Sequence, residues 1–315
     1  MNKYYYCIDI GGTTIKGGIV DLKNKIVCND QVDTIVSDEP NYLANSIMSL
    51  IEKLEQSSGL SVSSCAGIAV GAPGLIDSIN GVIKYSGNLK LKDYPLKNEL
   101  EKLTKVQVKV ANDADVATLA ELKFGAGKNY KNFVMLTLGT GIGGGIVVDG
   151  HLLGKNSPYS GEIGHIKTTT TNIKCSCGDI NCYEAIASTN ALVKQTRTAM
   201  QENPESKMWS KYNLKTVCGK TVFDFLDTDK TARMVFDEYI KNLGNGIVSL
   251  INIFMPEAII IGGSVSNQKD VLIKPLETYV NKHIYAKNIN FKVDIITAEQ
   301  TGSAGVLGGK CLFEN

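Results

Sequence analysis

His165, Cys175, Cys177 and Cys182 crowd three thiols and an imidazole into one short stretch of a chain that has only 8 Cys and 3 His in 315 residues. Three thiolates and one imidazole are the donor set of a closed tetrahedral Zn²⁺ site. Gly178 follows the Cys175-Ser176-Cys177 turn, where the backbone must double back for two sulfurs to reach one ion. The scarcity of Cys and His elsewhere argues against chance clustering, although such sites are usually structural. Carboxylates flank the cluster: Ser160-Gly161-Glu162-Ile163-Gly164-His165 precedes it and Glu184 closes it. A metal that clamps two carboxylate-bearing segments makes a rigid set of acceptors for a polyhydroxylated ligand.

Two glycine-rich turns offer phosphate chemistry. The first is Asp9-Ile10-Gly11-Gly12-Thr13-Thr14 with Lys16, and the second is Gly139-Thr140-Gly141-Ile142-Gly143-Gly144-Gly145. Glycines at a hairpin tip let backbone N–H groups approach phosphate oxygens, and threonines add hydroxyl donors. A carboxylate such as Asp9 at the end of the incoming strand can hold Mg²⁺ through water. Either turn alone also reads as a plain hairpin, and the first matches neither the spacing of a P-loop nor a dinucleotide fingerprint with its following helix. Gly262-Gly263, after the apolar run Ala258 to Ile261, leaves room for a flat ring. Asn112-Asp113 ends another strand, where Asp113 can act as a general base or the pair can cap a helix. Asp115 is a further cap candidate.

The elements that must carry these groups follow from periodicity. Tyr4 to Ile10 and Lys16 to Asp21 read as an antiparallel hairpin, and Leu43, Ile47, Leu50, Ile51 and Leu54 as a helix. Ala66 to Val70 and Val106 to Val110 are further strands, and Val116 to Phe124 is helical. The pattern of strand, Gly/Thr turn and strand then recurs from Phe133 to Val148, so the chain reads as a duplicated α/β unit. Met234, Tyr239, Leu243, Ile247, Leu250 and Ile251 outline a long helix, and 302–312 a tightly packed terminal one. The polar stretch from Asn203 to Asp229 reads as a surface excursion.

Composition narrows the class. The chain is 43% hydrophobic and 21% charged, with net charge +1 from 33 basic and 32 acidic residues. That balance gives no footprint for nucleic acid or an anionic membrane, and no apolar run is long enough to cross a bilayer. No signal-peptide pattern precedes Tyr4. Cysteines without framework spacing point to a reducing, cytoplasmic setting.

Together these motifs resemble the ROK family of sugar kinases and repressors, within the actin-like ATPase and hexokinase superfamily. The resemblance covers nearly the whole chain. It rests on Asp9-x-Gly11-Gly12-Thr13, Asn112-Asp113-Ala114, Leu138 to Gly145, Gly161 to His165, and Cys175-x-Cys177-Gly178-x₃-Cys182-x-Glu184. Asn181 departs from the pattern, standing where the family usually has Gly.

The resemblance implies a two-lobed α/β fold of the actin-like, ribonuclease H-like type, with ATP and sugar in the interlobe cleft. One lobe would span 1–118, completed by the helix at 302–315, and the other 119–301 with the zinc loop at 165–184. Asp113 would be the catalytic base toward a hexose 6-hydroxyl. Gly74, Asn88, Asn112, Asp113, Glu162, His165 and Glu184 would hold the sugar. Asp9, Gly11, Gly12, Thr13, Thr14, Lys16, Gly139, Thr140, Gly141, Gly262 and Gly263 would hold Mg-ATP. His165, Cys175, Cys177 and Cys182 would bind structural Zn²⁺, with one ring nitrogen of His165 on the metal and the other facing the sugar. Glucose is the expected substrate, with N-acetylmannosamine or N-acetylglucosamine as the alternative, fructose and β-glucosides behind them, and a homodimer as the expected assembly. Repressors of this family carry a helix-turn-helix ahead of the phosphate hairpin. With that hairpin opening at Asp9 and no basic footprint, an enzyme is expected.

Overall fold

The structure is a computed structural model that describes residues 4–39, 41–154, 159–289 and 291–314. It divides into two units. The first comprises Met1–Asn129, Leu152–Ser160 and Glu299–Asn315, and the second Tyr130–His151 and Gly161–Ala298.

In the first unit, β1 (Tyr4–Ile10), β2 (Thr14–Asp21) and β3 (Ile26–Asp33) form an antiparallel meander, joined by β4 (Gly67–Ala72) and β8 (Val108–Asn112) in the order β3-β2-β1-β4-β8. β1 pairs antiparallel with β2 and parallel with β4, and β4 pairs parallel with β8. Helix α1 (Tyr42–Ser58) buries Leu43, Ile47, Leu50, Ile51 and Leu54 against this sheet, the stripe its spacing predicts. A small sheet of β5 (Leu75–Asp77), β6 (Val82–Ser86) and β7 (Leu91–Tyr94) precedes α2 (Leu96–Thr104). Helix α3 (Asp113–Phe124) starts where β8 ends, so a boundary at 118/119 would fall inside it. The terminal helix α8 (Ala304–Cys311) packs Val306 into a cluster with Cys7, Val20 and Ala69.

The second unit repeats the pattern. β9 (Phe133–Leu138), β10 (Ile142–Val148), β11 (His151–Leu152), β12 (Ala258–Gly263) and β13 (Asp294–Thr297) are ordered β11-β10-β9-β12-β13. Again the first pair is antiparallel and the next two pairings are parallel. α4 (Glu184–Ala187), α5 (Thr189–Glu202), α6 (Lys230–Phe254) and α7 (Asp270–His283) complete the unit. α6 buries Tyr239, Leu243, Ile247, Leu250 and Ile251, whereas Met234, expected on the same face, is 55% exposed.

The segment from 203 to 229 is not only a surface excursion. Met208, Val217 and Val222 enter the core, and Asp229, itself buried, caps α6 through the N–H groups of Thr231 and Ala232. The helical period is missing because the segment runs through short 3₁₀ turns at Lys207–Ser210 and Phe223–Phe225. Among the described residues no helix is long and apolar enough to cross a membrane.

Candidate active site

The four candidate metal donors converge. The ligand atoms of His165, Cys175, Cys177 and Cys182 all lie within 4.8 Å of one another. Cys177 Sγ is 3.7 Å from Cys182 Sγ, and Cys175 Sγ is 3.9 Å from His165 Nδ1. Zn–S bonds of about 2.3 Å in a tetrahedron put sulfurs about 3.8 Å apart, so the residues fit the ion. Among the described residues of the loop, Asn172 (φ 57°), Gly178 (φ 93°) and Asn181 (φ 64°) are left-handed. Asn tolerates this left-handed conformation better than most residues, so Asn181 can hold the turn. Burial raises the Cys175 thiol's pKa. Burial also opposes ionisation of Cys177, but the Asp179 N–H and the Cys175 and Cys182 thiols outweigh it and lower that pKa. Nδ1 of His165 faces the sulfurs, while Nε2 lies 3.9 Å from Glu162 Oε2.

Glu184 joins this loop to the glycine turn. Its Oε1 accepts from Ser176 Oγ at 2.9 Å and lies 3.0 Å from Cys175 Sγ, and its Oε2 accepts from the Ile142 N–H at 3.3 Å. A Cβ on Gly141 would sit 2.2 Å from that Oε2, so a side chain there would displace the carboxylate. The Glu162 segment docks on the same strand: Ile163 fills the space above Gly144, and Gly164 packs on the Ile142 carbonyl. Part of the glycine run thus serves packing. Gly139 is different, since a Cβ there would meet nothing within 4 Å and the residue is exposed. Thr140 beside it is also exposed. Gly263, at φ 88°, pairs with Leu138, and a Cβ on it would strike the Leu138 carbonyl at 2.0 Å. The Gly262-Gly263 turn and the 139–141 turn therefore leave the sheet side by side. This geometry fits a nucleotide: bare backbone, exposed at Gly139 without any packing reason to be bare.

The first unit holds the other half of the expected residues. Gly11 N–H bonds to the Thr14 carbonyl at 3.0 Å and closes the hairpin, with Gly12 and Thr13 exposed at its tip and Thr14 half-buried. A Cβ on Gly12 would also meet nothing within 4 Å. Asp9 stands across the strand pair from the exposed Lys16. Burial raises its pKa, and the Lys16 charge pulls the other way. A single carboxylate at the hairpin base suits Mg²⁺, which keeps most of its waters.

Asn112, not Asp115, is the N-cap of α3. Its Oδ1 accepts from the N–H groups of Ala114 (2.8 Å) and Asp115 (3.4 Å), and its Nδ2 donates to the Gly74 carbonyl at 3.0 Å. Extended backbone at Asn112, where β8 ends, makes it the cap; Asp115 already lies within the first turn of the helix. Asp113 is the first helical residue, half-buried, with Oδ1 accepting from Ala114 N at 2.9 Å. Gly74, at φ 108°, could not carry a Cβ, which would lie 2.3 Å from the Tyr85 carbonyl. Asn88 is exposed on the turn between β6 and β7. Ser176, between Cys175 and Cys177, joins this set by donating to Glu184 Oε1.

The sequence model of the ROK family matches residues 5–315. The chain belongs to the ROK family. It is 35% identical to a glucokinase of Halalkalibacterium halodurans over 99% of this chain and 96% of that one. It is 32% identical to a glucokinase of Thermotoga maritima over 98% and 96%. A ROK family glucokinase from Streptomyces griseus, solved in complex with glucose and AMPPNP, superposes with a TM-score of 0.86 at 26% identity over 98% of both chains. The α/β fold of this ROK protein is thus that of the actin-like ATPases, which explains the repeated five-stranded sheet. A separate groove of about 1060 Å³ between α5 and α6, lined by Gln195, Met234 and Lys241 among others, contains none of the candidate residues.

Proposed function

We propose that the chain transfers the γ-phosphoryl group of Mg-ATP to the 6-hydroxyl of glucose, giving glucose 6-phosphate and ADP. The observation that carries this reading is the Glu184 carboxylate, which touches both the metal-binding loop and the glycine turn at Ile142. Groups suited to sugar hydroxyls are thereby built directly against groups suited to phosphate. The full-length likeness to glucokinases supports the choice of sugar.

In this reading Asp113 takes the proton of the 6-hydroxyl as its oxygen attacks phosphorus and the bond to ADP breaks. Asn112 holds Asp113 in place by capping α3. Glu162, His165 Nε2 and Glu184 accept from or donate to other sugar hydroxyls, with Gly74 and Asn88 beside Asn112 in the sugar's binding set. The 11–14 and 139–141 turns, with Lys16 and Gly262-Gly263, would orient the nucleotide, and Asp9 would hold Mg²⁺ through water. Mg²⁺ supplies charge neutralisation at the phosphates. Zn²⁺, held by His165, Cys175, Cys177 and Cys182, supplies rigidity. Catalysis is then chiefly positioning and charge stabilisation of a loose transition state.

The free thiols, with no disulfide among the described residues, support a reducing cytoplasmic setting. The reading includes a homodimer, supported by the family resemblance and tested by light scattering against the 34.0 kDa chain mass.

A coupled ADP-release assay over a panel of hexoses tests the substrate. A bare 2-hydroxyl can be enclosed by carboxylates, whereas an acetamido group needs space and an amide partner; an unpaired buried polar group costs about 1–3 kcal/mol. Glucose should exceed N-acetylmannosamine and N-acetylglucosamine in kcat/KM by at least about tenfold. A higher value for either amino sugar, or for fructose or a β-glucoside, overturns the choice of glucose. Absence of ADP release with every sugar overturns the kinase reading.

A further inference from the structure

Asp9 is a carboxylate with an unusual seat. Among the described residues none hydrogen-bonds it, and its charged neighbour is Lys16 across the hairpin. Its direction is set by contact instead. The Cα of Gly305, one residue into α8, lies so close that a Cβ there would fall 2.3 Å from Asp9 Cγ, 2.4 Å from Oδ2 and 2.5 Å from Cβ. No other side chain could occupy position 305 without moving the carboxylate.

The rest of α8 has no freedom to retreat. The fully buried Glu121, near the end of α3, accepts from the N–H groups of Gln300 (2.7 Å), Glu299 (3.1 Å) and Ala126 (2.7 Å). Gln300 Nε2 donates to the Phe124 carbonyl at 2.9 Å, and the Gln300 carbonyl accepts from Ala304 N at 3.1 Å at the start of α8. The turn leading into α8 is thus fixed to α3, and the first turn of α8 is fixed over Asp9.

We propose that Gly305 is a positioning residue for the magnesium nucleotide: its bare Cα lets the pinned first turn of α8 close over Asp9 and aim that carboxylate. This rests on the reading of Asp9 as the residue that directs the magnesium waters. It adds a residue nearly three hundred positions away in sequence that acts only through contact.

The test is Gly305→Ala, with Gly309→Ala as a control on the same helix. Gly309 packs against Cys7 and Ala69, where a Cβ would be 3.1 and 3.2 Å from its neighbours, and not against Asp9. Alanine is the better helix former, so propensity alone would stabilise Gly305→Ala; any loss reports the contact. Calorimetry with Mg-AMPPNP should give a Kd at least about tenfold weaker for Gly305→Ala. Its Mg²⁺ half-saturation should rise in parallel, its sugar Kd should stay within about twofold, and Gly309→Ala should leave the ratio of the two affinities unchanged. Nucleotide and sugar affinities falling together, or Mg-AMPPNP binding within about twofold of the parent, would overturn the proposal. If Gly305→Ala does not fold, Asp9→Glu probes the same contact from the strand: one added methylene has nowhere to go, so nucleotide binding should weaken similarly, and retained tight binding would overturn the proposal. Asp9→Asn separates the two claims. Unchanged Mg-AMPPNP affinity there refutes the role of Asp9 itself. Lost affinity there with a normal Gly305→Ala refutes only the role of Gly305.

Discussion

Asn112→Ala tests how the fold holds the proposed base. The Asn112 side chain caps α3 with Oδ1 and ties β8 to Gly74 with Nδ2. Loss of an Asx cap costs about 1 kcal/mol, and loss of the amide–carbonyl bond about another 1 kcal/mol. The sum, about 2 kcal/mol, should lower Tm by about 4–8 °C if the first unit melts as one cooperative domain. The kinetic effect has a separate origin. Ala114 N–H is shared between Asn112 Oδ1 at 2.8 Å and Asp113 Oδ1 at 2.9 Å. Without Asn112, the Asp113 carboxylate becomes the remaining acceptor at the helix start and is drawn into capping. Misplacement of a reacting group by about 1 Å can cost about a hundredfold, so kcat should fall between about tenfold and that limit. Asn112→Asp keeps the cap but not the donor to Gly74, so it should lose about half as much Tm. Differential scanning fluorimetry and the coupled assay read both effects. An Asn112→Ala variant with unchanged Tm and kcat within about twofold of the parent would refute the reasoning.

Three further outcomes follow from the geometry. Protein purified without chelators should carry near one equivalent of zinc by mass spectrometry; Cys177→Ser should remove it and raise sugar KM more than ATP KM, and an equal rise in both would mean global damage. Asp229 should give a pH signature. Burial alone would raise its pKa, but Ser206 Oγ and the N–H groups of Thr231, Ala232 and Met208 outweigh it and lower the value. Its contribution is therefore full above the unfolded value of about 3.9 and is lost as pH falls through that value toward the folded one. In urea melts the deficit of Asp229→Asn should be constant from neutral pH to about pH 5 and shrink below about pH 4; a deficit that grows on acidification would contradict this. Gly263→Ala should destabilise the protein, because that residue is at φ 88° with the Leu138 carbonyl 2.0 Å from any Cβ, and a neutral Tm would show that the β12 turn can relax.

Legibility in the sequence tracked locality. The cysteine cluster could be read because its four candidate donors are near neighbours in the chain and a tetrahedral zinc site would take these residue types. The two hairpins and the repeat from Phe133 to Val148 were readable for the same reason, since each strand is followed by its own partner. The cap of α3 was not. Asn112, Asp113 and Asp115 all favour that position, and the choice depends on where β8 stops, which pairing with β4 decides. The stretch at 203–229 misled because Met208, Val217 and Val222 reach the core from short turns without a period. Glu121, a buried carboxylate satisfied by N–H groups about 180 residues away, and Gly305 over Asp9 leave no local mark. The glycine run showed a different limit: Gly139 is bare without packing need, whereas Gly141 and Gly144 are bare because Glu184 and Ile163 press on them.

The most direct measurement of the central claim is the turnover of Asp113→Asn with Mg-ATP and glucose, alongside calorimetric glucose binding. The amide is nearly isosteric and can still accept from Ala114 N, but it cannot take the hydroxyl proton. The account predicts a fall in kcat of about a hundredfold or more, with glucose affinity and Tm close to the parent's. A kcat within a few-fold of the parent would contradict it and leave Asp113 as a helix-start residue.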